Sequence, residues 1–261
     1  MQDKATLADA LKMMRDLRRR CDWDRAQTHE SLRPYLIEEA HELDDAIRSG
    51  DLPHMREELG DVLLQVLFHS VIAEEAGEFD VGDVASALIE KMERRHPHLY
   101  GGGALEPWEK IKARLRESIA EGLPPGLPAL HRAHRLQERA AGVGFDWDDT
   151  EGPARKVEEE LHEVRELLPA PTGARASRTA DPALEGELGD LLFAVVNLCR
   201  RAGVHPALAL DRANEKFVRR FERVEQLAAD RGVAMGEAGL EKLDALWDEV
   251  KAEEASRADA T

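Results

Sequence analysis

A carboxylate pattern is written twice in this chain, and it restricts the available folds more than any other feature. Glu38-Glu39-Ala40-His41-Glu42 is followed by Glu58-Leu59-Gly60-Asp61, and Glu159-Glu160-Leu161-His162-Glu163 by Glu187-Leu188-Gly189-Asp190. Positions i and i+3 share a helix face, so Glu39 with Glu42 and Glu58 with Asp61 present paired carboxylates toward a neighbouring helix, as do their counterparts in the second half. Four carboxylates brought together repel, each close pair costing roughly 4 kcal/mol at 4 Å and an effective dielectric of about 20. Protonation relieves that repulsion only through large upward pKa shifts. A hard divalent cation relieves it directly, and an all-oxygen donor set favours Mg²⁺ or Mn²⁺ over zinc.

The remaining landmarks repeat in the same order. Trp23 maps to Trp147, Glu39 to Glu160, Asp61 to Asp190 and Lys91 to Lys216. Apolar residues recur at helical spacing (Leu7, Leu11, Met14, Leu17; Leu32, Leu36, Leu43, Ile47), and β-branched alternation is scarce, so the expected fold class is all-α, two tandem helical bundles. Helices are expected over Ser31–Ser49, capped by Gly50, from Pro53 to Ala76, capped by Gly77, and over Val81–Arg95, stopped by Pro97. Further helices are expected over Trp108–Ala120, Leu130–Ala141, Ala154–Leu168, Leu184–Ala202, Pro206–Asp230 and Leu240–Glu254. Pro169 to Pro182 reads as a loop. The Gly101-Gly102-Gly103 and Gly122-Leu123-Pro124-Pro125-Gly126 punctuation sets the expected domains at 1–121 and 122–261.

Charge and cysteine content narrow the partners. With 36 Lys plus Arg against 53 Asp plus Glu, the net charge of −17 opposes nonspecific binding to long nucleic acid, while a small metal-complexed anion stays compatible. The 2 cysteines, Cys21 and Cys199, form no disulfide framework and fit a cytoplasmic setting. The apolar runs at Val62–Ala73 and Leu191–Cys199 are too short to span a membrane, and the N-terminus lacks a signal-peptide pattern.

Each ELGD tetrad leads into an apolar run, which places its acids near the buried side of a helix. Gly60 and Gly189 interrupt those helices at a cost of roughly 1 kcal/mol each, for which close helix approach or metal access would be the reason. Lys216 and Arg220 lie one turn apart and offer an ammonium and a guanidinium to phosphate, as Lys91 and Arg95 do in the first half, whereas Arg219 reads as a salt-bridged surface residue. Glu38-x-x-His41 and Glu159-x-x-His162 mimic the Glu-x-x-His of di-iron bundles, but the ELGD partners lack a matching His, so magnesium is favoured over iron. His131-x-x-His134, set among arginines, reads as a solvated face. Trp247 either caps a core or stacks on a base.

Together these residues resemble the MazG-type nucleoside triphosphate pyrophosphohydrolases, all-α proteins marked by EExxE followed by ExxD. The likeness extends to Cys21–Thr28, Arg94-Arg95-His96-Pro97-His98, Gly144-Phe145-Asp146-Trp147 and Asn214-Glu215-Lys216-Phe217. The resemblance implies Mg²⁺-dependent cleavage of nucleoside triphosphates between the α and β phosphates, with broad base specificity. It implies Glu160, Glu163, Glu187 and Asp190 as metal ligands, Glu159 as a group that assists or positions water, and Lys216 and Arg220 as triphosphate contacts. It also implies a homodimer or higher homo-oligomer. The second half is the expected main catalytic unit, because Asn197 and Asn214 align with Phe68 and Ile89 in the first. Glu39, Glu42, Glu58, Asp61, Lys91 and Arg95 form a possible second site. A ferritin-like di-iron protein and a non-catalytic helical oligomer are the alternative readings.

Overall fold

The structure, a computed structural model, describes residues 4–102, 112, 116–168 and 181–258, and these contain helices and no strand. The chain divides into two compact units, Met1–Leu105 and Glu106–Thr261.

Local side chains set the helix ends of the first unit. Helix α1 (Leu7–Arg20) starts at a reciprocal cap, in which Thr6 accepts from the Asp9 amide and Asp9 accepts from that of Thr6. The short α2 (Asp22–Ala26), which periodicity does not reveal, leads to α3 (His29–Ser49), capped by Thr28. Helix α4 (Leu52–Ala76) is capped by Asp51 and carries Pro53 in its first turn, while α5 (Val81–Arg95) is capped by Asp80. Gly50 and Gly77 end α3 and α4 at φ 70° and 71°, the left-handed conformation that glycine adopts without a Cβ clash. Pro97 does end α5, but the chain immediately resumes as the short α6 (Pro97–Tyr100).

Helices α1, α3 and α5 all pack on α4. The core between them is Met14, Leu32, Leu67, Phe68 and Val71, with Leu11, Leu63 and Ile72 at its edge. Buried Arg18 pins the α2 segment to α4: its guanidinium pairs with Glu75, donates to the Arg25 and Gln27 carbonyls at 3.2 and 3.0 Å, and lies over the Phe68 ring.

The second unit comprises α7 (Ala129–Gly142), α8 (Glu151–Leu167), α9 (Pro182–Arg201), α10 (Pro206–Asp230) and α11 (Gly239–Ala258). Helix α8 packs along α9, and α7 bears on both α9 and α10. Val224, Leu227 and Ala228 of α10 meet Leu246 and Val250 of α11 in a separate core. Buried Arg139 donates to the carbonyls of Ile119 and Glu121, each at 2.8 Å, which ties residues 119–121 to α7 although the Gly122 punctuation follows them. The described end of the expected Trp108–Ala120 helix, residues 116–120, is turn; most of that segment, and residues 169–180 of the expected loop, lie outside the described residues. No helix among the described residues is long and apolar enough to cross a membrane, and Cys21 and Cys199 are both free thiols.

Gly152, in the first turn of α8, is needed for close approach. A Cβ there would sit 2.1 Å from Cδ1 of Trp147. Gly152→Ala is therefore expected to push the indole aside and destabilise the unit by about 1–3 kcal/mol, the usual cost of overpacking. A thermal melt with tryptophan fluorescence checks this, and an unchanged midpoint and emission would contradict it.

Candidate active site

In the second unit α8 and α9 lay the two acidic segments side by side. Ligand atoms of Glu160, Glu163 and Glu187 all lie within 4.8 Å of one another. Glu160 is buried, and Asp190, one turn beyond Glu187, lines the cavity beside it. That cavity encloses about 430 Å³, within the size range of small-molecule sites, and its walls include Leu136, Phe145, Trp147, Phe193 and Asn197.

Lys156 is the cation that sequence reasoning missed. Its Nζ lies 2.5 Å from Glu160 Oε1 and 2.9 Å from Glu159 Oε1, and it faces the same cavity. These carboxylates hold its ammonium well above the ordinary lysine range. The signal was present as Lys-x-x-x-Glu, one helical turn before the acid that matters.

The Asp146-Trp147-Asp148 segment is latched to α9. Arg200 forks onto Asp146, Arg201 Nη1 reaches Asp146 Oδ2 at 3.2 Å, and Arg201 Nη2 donates to the Asp148 carbonyl at 2.7 Å. Burial pushes the Asp146 carboxyl up, but the arginines outweigh it and hold the group below its ordinary range. Arg200 also donates to Asn197 Oδ1, at 3.0 Å from Nε and 2.8 Å from Nη2, so Asn197 joins the latch to the cavity wall.

The basic residues after the acids lie elsewhere in the unit. Arg220 donates from Nε to Glu254 Oε2 at 2.8 Å and stands over the Trp247 ring, so both belong to the α10–α11 seam. Trp247 packs against the Val224–Leu246 core and against Phe217, with ring centroids 5.4 Å apart. Lys216 and Asn214 are exposed on α10. None of these four lines the cavity.

The first unit repeats the acidic cluster with different surroundings. Glu39, Glu58 and Asp61 offer ligand atoms within 4.8 Å of one another, and Glu42 is near enough to raise the Glu39 pKa. His54 Nε2 lies 3.0 Å from Glu58 Oε1, while Glu58 Oε2 is buried without a hydrogen-bond partner. Tyr35 occupies the place of Lys156, and Phe68, aligned with Asn197, is absorbed into the core. Ile89 is exposed, as is its counterpart Asn214. Lys91 and Arg95 are half-buried on α5.

Both clusters fit a divalent cation. The donors are all oxygen, one buried oxygen lacks a partner, and two carboxyls titrate high. Burial first, then Asp61 and the other neighbouring acids, push Glu39 up; loss of water and then Glu160 do the same to Glu163. A folded-state pKa above the unfolded value means that ionisation is disfavoured on folding. Without a cation, stability therefore falls as pH rises through and above the ordinary value of 4.5. A cation that binds the ionised form reverses the penalty, so the Mg²⁺-induced rise in Tm should be larger at about pH 7.5 than at about pH 5. Equal rises at both pH values would contradict the assignment.

Gly60 and Gly189 are not explained by close helix approach, since a Cβ at either position would meet nothing within 4 Å. Gly189→Ala is accordingly expected to stabilise the metal-free protein by up to about 1 kcal/mol through helix propensity. A thermal melt without divalent ions checks this, and a lowered Tm would show a packing role instead.

Comparison with known proteins agrees with this geometry. The family description "MazG nucleotide pyrophosphohydrolase domain" matches twice, over residues 27–100 and 151–225, and each match contains one acidic cluster. The chain is 48% identical over 239 residues to the nucleoside triphosphate pyrophosphohydrolase/pyrophosphatase MazG of Thermotoga maritima, covering 88% of this chain and 89% of that one. It is 41% identical over 260 residues to the nucleoside triphosphate pyrophosphohydrolase of Escherichia coli K12, covering 95% and 97%. With the fold, the duplicated acidic clusters and these matches in agreement, the chain belongs to the MazG nucleotide pyrophosphohydrolase family.

Proposed function

We propose that this chain hydrolyses nucleoside triphosphates between the α and β phosphates, yielding a nucleoside monophosphate and pyrophosphate, with Mg²⁺ as the ion and the second unit as the principal site. The observation that carries the reading is the convergence of Glu160, Glu163 and Glu187 beside a largely apolar cavity, in a chain of this family. Glu160, Glu163, Glu187 and Asp190 would hold the ion, which when bound supplies charge neutralisation and polarisation of phosphate oxygens.

The protein's own groups account for the rest. Lys156, already between the acids and the cavity, offers its ammonium to a phosphate oxygen in exchange for one of its carboxylates. Exposed Glu159, released by that exchange, is free to orient water and accept its proton. Phe145, Trp147 and Phe193 give the nucleoside an apolar wall; stacking on aromatic faces accepts every base, which supports broad specificity. Lys216 serves as an outer triphosphate contact, whereas Arg220, engaged with Glu254 and Trp247, holds α10 against α11. The first unit, with Tyr35 in place of Lys156, binds the ion without matching the second in turnover. Exposed Leu188, Leu192 and Val195 on α9 support association into a homodimer.

Incubation with a panel of nucleoside triphosphates and Mg²⁺ should give monophosphate and pyrophosphate from several bases. Diphosphate and orthophosphate as main products would overturn the reaction. Lys216→Ala should lower kcat/KM by roughly ten- to a hundredfold with Tm unchanged, in keeping with a charge-assisted phosphate contact of about 1.5–3 kcal/mol. Arg220→Ala should lower Tm. Parental kinetics in Lys216→Ala would remove that residue from the site.

A further inference from the structure

The part of the cavity wall that α9 contributes is one helical stripe: Asp190, Phe193, Ala194, Asn197 and Arg200. Asp190 belongs to the acidic end, with Glu160 and Lys156. Asn197 lies seven residues further along α9, about 10 Å at the rise of an α-helix, and so faces the far end of the chamber. Trp147 is held at that same end, because its amide donates to Asp146 Oδ1 at 3.0 Å and Asp146 pairs with Arg200, one turn beyond Asn197. Asn197 is 8% exposed, and its amide can stand only one way round. A guanidinium donates and never accepts, so the bonds from Arg200 Nε and Nη2, at 3.0 and 2.8 Å, turn Oδ1 toward Arg200. Nδ2 is the end left over. It makes no hydrogen bond among the described residues, and it is not sealed off from the cavity that Asn197 lines. Gln137, on α7, has its own Nε2 engaged by the Phe193 carbonyl at 2.8 Å.

We propose that Asn197 is a substrate contact that fixes the nucleobase, donating from Nδ2 to an acceptor on the base, and that Arg200 and Asp146 are positioning residues that hold its amide in that orientation. The inference rests on the function proposed above. With the phosphates at the acidic end and the ribose after them, the base comes to rest two turns along α9, between the aromatic wall and Asn197. Stacking sets the plane of the base, and a single fixed donor sets its position within that plane. Ring nitrogens and carbonyl oxygens that accept hydrogen bonds occur on every nucleobase, so the contact agrees with turnover of several bases. A polar amide kept in a largely apolar chamber carries a desolvation cost, which a ligand acceptor relieves. The first unit has Phe68 at the aligned position, packed into its core, and so has no such donor there.

The test is calorimetric titration of the parental full chain and of Asn197→Asp with uridine monophosphate, adenosine monophosphate and ribose 5-phosphate, all in Mg²⁺. The substitution keeps the oxygen that Arg200 requires and replaces only the N–H₂ that faces the cavity. We expect both nucleotides to bind the variant about tenfold more weakly, and ribose 5-phosphate, which has no base, to bind parent and variant alike. Equal weakening of all three ligands would overturn the contact to the base, as would parental nucleotide affinity in the variant. Should Asn197→Asp fail to fold, Asn197→Ala, which also lacks the donor, is read by the same outcomes. Turnover of triphosphates by the parental chain separates this contact from the reaction. Weakened nucleotide binding as expected, in a chain that releases no pyrophosphate, overturns the reaction alone; parental affinity in the variants of an active chain overturns the contact alone. A parental chain that binds no nucleotide overturns both.

Discussion

Mutual repulsion among carboxylates held on facing helices is the constraint on which the rest of this molecule depends. At an effective dielectric of about 20, charges a few ångströms apart cost several kcal/mol, a large fraction of a domain's stability. The protein nevertheless gathers Glu160, Glu163 and Glu187 in one unit and Glu39, Glu58 and Asp61 in the other. Apolar packing behind them makes this possible: α4 carries Leu67, Phe68 and Val71 into its core, and α9 buries Ala194 and Val196. Each ELGD tetrad is thus the polar leading edge of a helix anchored by its apolar remainder. The helices that carry the acids cannot separate without unpacking that core, so a cation between them relieves the repulsion directly.

Divergence between the halves follows from a few side chains placed around the same acids. Lys156 gives the second cluster a positive partner, and Asn197 lets Arg200 connect the cavity wall to the Asp146 latch. In the first unit Tyr35 and Phe68 occupy the aligned positions. Phe68 closes the core where Asn197 faces a cavity, and Tyr35 sits edge-on to Trp23 with centroids 6.3 Å apart. One unit has a chamber where the other has packing.

Much of this was legible in the sequence because the signals were local. The cap at Gly50, the proline in the first turn of α4, and the i, i+3 spacing of the acids each concern neighbours within one turn. The structure ends α3 at Gly50, puts Pro53 in the first turn of α4, and gathers three of the four acids of each set within 4.8 Å of one another. What the sequence concealed depends on contacts across the chain. Nothing near Arg220 announces Glu254 and Trp247 as its partners, and nothing near His131-x-x-His134 announces His205. The glycines divide the same way. Gly50 and Gly77 are readable as caps, Gly152 is explained only by the Trp147 ring against it, and Gly60 and Gly189 turn out to face open space.

The central claim is that the second acidic cluster binds the ion and carries the turnover. Its most direct test measures kcat and Mn²⁺ binding, by electron paramagnetic resonance, in the matched variants Glu160→Gln and Glu39→Gln. The account predicts that each variant loses Mn²⁺ from its own unit, but that only Glu160→Gln nearly abolishes kcat. Equal losses of kcat, or Mn²⁺ occupancy unaffected by Glu160→Gln, would contradict it.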